Sequence, residues 1–106
     1  MENNYGTIST TIDSIDKARV ISKVILDKGL SKCIQISTVN SIYYWKSEIN
    51  DAVEYRIEIK SIDKSSIVSE IVNVVKKNHT YDIPEIVFTP IRVLSKEYKS
   101  WLDGSN

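Results

Sequence analysis

Ala52-Val53-Glu54-Tyr55-Arg56-Ile57-Glu58-Ile59-Lys60-Ser61 alternates between apolar and polar side chains along its whole length. Successive side chains of a strand point to opposite faces. Val53, Tyr55, Ile57 and Ile59 therefore share one face, and Glu54, Arg56, Glu58 and Lys60 share the other. A strand patterned this way belongs in a sheet with one face in a core and a second face that meets water or another polar surface.

Working outward, residues 32–45 form the other long β segment on the N-terminal side of this strand. Cys33, Gln35, Ser37 and Val39 point one way, Ile34, Ile36 and Thr38 the other, and Ser41-Ile42-Tyr43-Tyr44-Trp45 continues the run. Lys46 to Asp51 is polar and turn-like, so the two strands are expected to pair as a hairpin. Further upstream, Tyr5-Gly-Thr-Ile-Ser-Thr-Thr-Ile12 is rich in β-branched residues and reads as a strand. Asp13 offers an N-cap, Ala18, Ile21, Val24 and Ile25 follow at helical spacing, and Gly29 stops a helix over 14–28. Downstream, Asp63 is expected to cap a helix over 64–78 with Ile67, Ile71, Val74 and Val75 as its buried stripe. A loop over 79–85 leads to a strand from Ile86 to Ile91, where Pro90 points to a sheet edge. Ser95 caps a short helix that carries Tyr98, Trp101 and Leu102.

The order is β-α-β-β-α-β plus a C-terminal helix. This predicts an α+β, ferredoxin-like sandwich in which two helices cover one face of a four-stranded antiparallel sheet. The other face is left open, and a partner surface is one way to cover it. Residues 1–106 read as one such domain, with about four residues loose at each end.

Composition narrows the function. Fourteen basic and fourteen acidic residues give no net charge, so the basic excess of a nucleic-acid binder is missing. No apolar run approaches the roughly 20 residues that span a bilayer. Met1-Glu2-Asn3-Asn4-Tyr5 lacks the basic start and apolar block of a secretory signal. Together with a single cysteine, this makes a cytoplasmic protein the expectation.

Chemistry-bearing residues are few. Gly6, Gly29 and Gly104 are too far apart to cradle phosphates, and no HExxH, CxxC or EF-hand pattern occurs. Cys33 reads as a small apolar side chain on an interior strand rather than as a nucleophile. His79 reads either as a helix-terminal imidazole bonded to carbonyls or solvent, or as a metal ligand that would need Asp82, Glu85 or Cys33 close by. The run Tyr43-Tyr44-Trp45 cannot enter one core entire, because successive residues alternate faces. It fits an intersubunit contact, or an aromatic pair in a sheet core with one ring outside.

Four blocks resemble the CutA family of divalent-ion tolerance proteins. Leu30-Ser31-Lys32-Cys33-Ile34 is similar to its L-x-x-C-V segment. The Ser41–Trp45 segment with the Glu54–Lys60 strand resembles its central hairpin. His79-Thr80-Tyr81-Asp82-Ile83-Pro84-Glu85 resembles H-P-Y-x-x-P-E, and Tyr98-Lys99-Ser100-Trp101-Leu102 resembles Y-x-x-W-L. The blocks stand in the family's order and cover nearly the whole chain.

The resemblance implies a homotrimer shaped like the PII signalling proteins and associated with tolerance of divalent metals; it establishes no enzymatic activity, and a non-catalytic protein is the expectation. It also implies departures. Thr10-Thr11-Ile12-Asp13 replaces T-A-P-D, Ser37-Thr38-Val39-Asn40 replaces an I-P-G bend, and Thr80 replaces a proline. The ligands of copper-binding members are matched by Ser9, Asn78 and His79, so only one imidazole survives. Weak binding of copper or another divalent metal through His79 with Glu85 or Asp82 is the most this set supports. By motif, an intersubunit cleft or interface would use Cys33, Tyr44, Trp45, Glu54, Lys60, Tyr81, Glu85 and Trp101. Either a small molecule binds there, as in a PII-like sensor, or Glu54, Lys60 and Glu85 pair across the interface. An enzyme using Glu54 or Glu85 as general acid or base is a third reading, and no nucleophile or cofactor motif supports it.

Overall fold

The computed structural model describes residues 4–104. In chain order the elements are β1 (Tyr5–Ile12), α1 (Ile15–Asp27), β2 (Cys33–Trp45), β3 (Glu48–Ile62), α2 (Ser65–Asn78), β4 (Val87–Ile91) and α3 (Lys96–Leu102). The four strands form one antiparallel sheet in the order β2-β3-β1-β4. This is the ferredoxin-like arrangement read from the sequence.

The first face of the sheet carries Ile8, Thr10 and Ile12 of β1, Ile57 and Ile59 of β3, and Ile34 and Ile36 of β2. The helices lie against it. Ala18, Ile21 and Ile25 of α1 and Ile71, Val74 and Val75 of α2 complete one hydrophobic core. Where β1 lies beside the edge strand β4, Gly6 is needed for packing: a Cβ there would run into the Phe88 ring, so the ring lies where a side chain would stand. Pro90 sits on β4, an edge strand, the kind of position in a sheet where a residue without an N–H is tolerated.

Four local expectations are corrected. Ser14, not Asp13, caps α1, its Oγ accepting from the N–H of Lys17. Asp13 instead pairs with Lys17 at 3.5 Å. Asp63 does not cap α2 either; the cap position is Lys64, with no side-chain bond, and the Asp63 N–H is tied to the Asn4 carbonyl at 2.7 Å. The turn is much shorter than Lys46 to Asp51. Only Lys46 and Ser47 turn, both at positive φ (51° and 65°), as a two-residue hairpin loop requires, and β3 already begins at Glu48. Lastly, β2 is an edge strand, not an interior one, so Cys33 is half-buried at a rim rather than in the core.

Nor is the second face of the sheet wholly open. Tyr5, on that face, is 3% exposed and donates its hydroxyl to Asp103 beyond α3, while Lys60 of β3 donates to the Tyr98 hydroxyl. Helix α3 is thus strapped across one end. Asn4 and Asp103 are held by bonds, although both fall in the termini expected to be loose. Residues 1–3 and 105–106 lie outside the described residues. The rest of the face carries Thr7, Ser9 and Thr11 along β1, with Arg56 and Glu58 beside them on β3.

Candidate functional site

The β2–β3 ladder runs unbroken from Cys33–Lys60 to Trp45–Glu48. It outreaches the helices, and the chain measures 48 Å along its longest axis. Two groups of side chains gather on the second face, one at each end of β3.

The first lies where the hairpin leaves the body. The chain after α2 turns at His79, whose ring is pinned twice to backbone. Nδ1 accepts from the Tyr81 N–H at 3.1 Å, which leaves the ring proton on Nε2 to be donated to the Thr11 carbonyl at 2.9 Å. This bridge from β1 to the loop sets Tyr81, whose ring stands edge-on to His79 with centroids 4.7 Å apart. Tyr81 in turn donates its hydroxyl to Glu54 Oε2 at 2.6 Å. Glu54 is 6% exposed although charged. Around this pair opens a cleft of about 370 Å³ whose walls include Trp45, Tyr43, Ile83 and Glu85. An adjoining hollow of about 260 Å³ shares Tyr43, Trp45 and Tyr81 and reaches Asp82.

Burial pushes the Tyr81 phenol well above its usual value near 10, and the hydrogen bond to Glu54 and that carboxylate's charge push it further. The neutral donor is thus favoured in the folded chain. A group raised on folding stabilises fully below its unfolded pKa, and that stabilisation is lost as pH climbs toward the folded value. Stability should therefore decline above about pH 10. Tyr81→Phe is expected to be less stable at pH 7 by about 1–3 kcal/mol, since Glu54 loses its donor. The same variant should show a shallower alkaline decline, by up to one proton, in urea titrations run from pH 7 to 11. An unchanged alkaline slope would contradict this account. Some slope must remain, because the Tyr98 phenol is raised too, first by its hydrogen bond with the Cys33 thiol and then by burial, with Lys60 opposing.

Tyr98 belongs to the second group, under α3. Cys33 and Lys60 are cross-strand partners, and Lys60 Nζ lies 5.4 Å from the Tyr98 ring centroid and 3.3 Å from its hydroxyl. Trp101 stacks tilted on Tyr98 at 5.6 Å, and Lys32 Nζ sits 5.6 Å from the Trp101 centroid.

Within one chain, then, the residues expected in a cleft fall into two sets. Trp45, Glu54, Tyr81 and Glu85 line one hollow, whereas Cys33, Lys60 and Trp101 stand at the other end. Six residues of strand separate Glu54 from Lys60, about 20 Å. Tyr44 joins neither set; it is 74% exposed on the helix-side face of the hairpin, opposite Ile49. Sequence reasoning passed over Tyr43, Ile83 and Thr11 as cleft walls, and Tyr98 as the link between Cys33 and Lys60. The parity Tyr43–Trp45 and the cross-strand register were the available signals.

The residues matching copper ligands do not fit a metal ion. Asn78 donates its amide to the Val74 carbonyl, and Ser9 is a 6%-exposed hydroxyl on the sheet. Both His79 nitrogens are committed to backbone, so His79 takes the carbonyl-bonded form of its two readings. Among the described residues no group of three His, Cys, Asp or Glu side chains is placed to hold a metal.

The sheet order, the hairpin and the His79–Glu85 loop coincide with one known architecture. The family model of the CutA1 divalent ion tolerance protein matches residues 7–105. The chain belongs to the CutA family. A divalent-cation tolerance protein CutA from Archaeoglobus fulgidus is 32% identical over 99 residues, 93% of this chain and 95% of that protein. A CutA homolog from Danio rerio is 37% identical over 86 residues, and there the match spans 80% of this chain but only 56% of the fish protein. The structure of the periplasmic divalent cation tolerance protein CutA from Archaeoglobus fulgidus superposes with a TM-score of 0.87 at 31% identity, covering 95% of this chain and 97% of that one. The divalent cation tolerance protein of Thermus thermophilus gives 0.83 at 30% identity, over 92% and 94%. The hairpin and cleft described above are thus features of a CutA chain with its own set of side chains.

Proposed function

We propose that this CutA chain works as a non-catalytic homotrimer in the response to divalent metal ions. The observation that carries the assembly is the hairpin tip. Ile42, Tyr44 and Ile49 are 70%, 74% and 68% exposed on one of its faces, while Tyr43 and Trp45 are 43% and 41% exposed on the other. A ribbon that carries large apolar side chains on both faces, beyond the reach of its own helices, suits insertion between other surfaces. Of the two readings of the aromatic run, this geometry supports the intersubunit one, since none of the three rings enters the core. The polar second face of the sheet, with Arg56 and Glu58 on it, would meet copies of itself. Light scattering is expected to give three times the 12.1 kDa chain mass. A monomer mass at micromolar concentration would sink the proposal.

Catalysis is not part of this reading. Cys33 stands opposite Lys60, at the far end of the sheet from His79, and both His79 nitrogens are bonded to backbone, so the two do not form a nucleophile and base pair. No helix among the described residues is long and apolar enough to cross a membrane. The cytoplasm is the proposed compartment, as the lone cysteine suggests, and cell fractionation checks this. A second reading, favoured by the 370 Å³ cleft, is a PII-like sensor in which a small molecule binds where subunits meet. Assembly would be needed to bring a Lys60 near a Glu54.

A further inference from the structure

The second face of β3 carries four charges of alternating sign: Glu54, Arg56, Glu58 and Lys60. The outer two are engaged inside the chain. Glu54 accepts from the Tyr81 hydroxyl, and Lys60 donates to the Tyr98 hydroxyl. The inner two are not. Among the described residues the Arg56 and Glu58 side chains have no ion-pair or hydrogen-bond partner, although both residues are half-buried. Their cross-strand neighbours carry no charge either. Thr11 and Ser37 flank Arg56, and Ser9 and Gln35 flank Glu58. Arg56 and Glu58 are thus the two charges in the middle of this face, set among hydroxyls and one amide that cannot neutralise them.

When this face meets copies of itself, both charges leave water together. A buried charge without an opposite one is strongly disfavoured. The two residues stand about 7 Å apart along the strand. Every chain therefore presents a cation and an anion side by side, and a second copy presents the matching anion and cation. A partner of one sign would satisfy one of them and repel the other. In a cyclic trimer each interface joins two different patches, head to tail. We propose that Arg56 of each subunit pairs with Glu58 of the next. Three such ion pairs close a ring across the second faces of the sheets and make this surface selective for its own kind. This rests on the trimer reading above and names the contact that fixes its register.

Charge reversal read by native mass spectrometry tests this. Arg56→Glu leaves two acids in the middle of the face, and Glu58→Arg leaves two bases. Each variant alone should assemble at least about a hundredfold more weakly than the parent, because like charges then meet at every interface. Exchanging both, Arg56→Glu with Glu58→Arg, reverses every pair and should return assembly to within about tenfold of the parent. An equimolar mixture of the two single variants should form assemblies that contain both chains, since two of the three contacts in a mixed ring are matched. Circular dichroism checks the fold of each variant. Arg56→Gln, which removes charge without adding repulsion, should weaken assembly about tenfold and serves if reversal unfolds the chain. Single variants that stay trimeric, or a double exchange that stays dissociated, overturn the proposal. Rescue by the exchange without rescue by mixing places the pair within one chain and overturns it too. Each of these results leaves the trimer reading standing as long as the parent is trimeric, whereas a monomeric parent overturns both.

Discussion

Tyr44→Lys combined with Ile49→Glu is expected to leave the fold intact and abolish assembly. The two side chains face each other across β2 and β3 on the helix-side face of the hairpin, and they are 74% and 68% exposed in the single chain. Neither contributes to the core, so the domain's own stability should change by no more than about 0.5 kcal/mol. Placing opposite charges directly across the ladder also preserves the pairing energy there. In an assembled trimer the same positions would be withdrawn from water. Each large apolar side chain buried between subunits contributes roughly 1.5–3 kcal/mol. Losing two of them at every interface weakens each by at least about 3 kcal/mol, more than a hundredfold. Light scattering at micromolar concentration should then report monomers, with an unchanged far-ultraviolet circular dichroism spectrum. The melting temperature of the parent protein should rise with protein concentration, because unfolding of the proposed trimer would be coupled to its dissociation. In the double variant that dependence should vanish and the transition should fall. A variant that remains trimeric would show that this face of the hairpin is not the contact. Trp45→Ala, on the other face, should weaken assembly as well.

The framework of this fold was legible because it rests on periodicity. The alternation around Ile57 and Ile59, the helical spacing of Ile21 with Ile25 and of Ile71 with Val75, and the Ser95 cap each needed only nearby residues. What failed depended on competition between neighbours. Asp13 and Ser14 can both cap a helix, and which one does depends on where β1 releases the chain. The turn at Lys46-Ser47 has no Asn-Gly signature, and Glu48, Asn50 and Asp51 belong to a strand that projects beyond the body, not to a turn. Val53 shows the same limit from the apolar side: it shares a face with Ile57, yet it is 52% exposed because the helices end before reaching it.

The site was legible as residue types and only partly as a place. Glu54 meets Tyr81, and Trp45 and Glu85 line the same cleft, since the loop after α2 returns to the hairpin. Parity put Glu54 and Lys60 on one face, but face and proximity are separate questions along a 15-residue strand. Nothing in the local pattern says that Glu85 and the rings of Tyr43, Trp45 and Tyr81 gather around Glu54. That depends on where residues 79–85 land, which in turn depends on the anchoring of one imidazole.

That anchor makes His79→Ala the second large effect. Removing the ring frees the Thr11 carbonyl and the Tyr81 N–H together, and each buried polar group left without a partner costs about 1–3 kcal/mol. Thr11 is 5% exposed, so water cannot readily replace the bond. The loop that positions Tyr81 loses its tie to β1, and the hydroxyl bond to Glu54 weakens with it. A loss of about 2–4 kcal/mol is expected in urea unfolding, together with faster hydrogen exchange at the Tyr81 amide. His79→Gln, which offers both a donor and an acceptor, should recover part of the stability. The same geometry fixes the expectation for metals. An ion taking Nδ1 must displace the Tyr81 N–H, and one taking Nε2 must displace the Thr11 carbonyl. With Asn78 spent on Val74 and Ser9 in place of a thiolate, nothing nearby compensates either loss. Calorimetry with copper or zinc at neutral pH is therefore expected to show weak binding and no submicromolar stoichiometric site. A tight site that survives His79→Ala would locate the ligands elsewhere, with Cys33 the first thiolate to test. A tight site lost with His79 would mean that the metal outcompetes both backbone bonds, and the loop would then have to move when metal arrives.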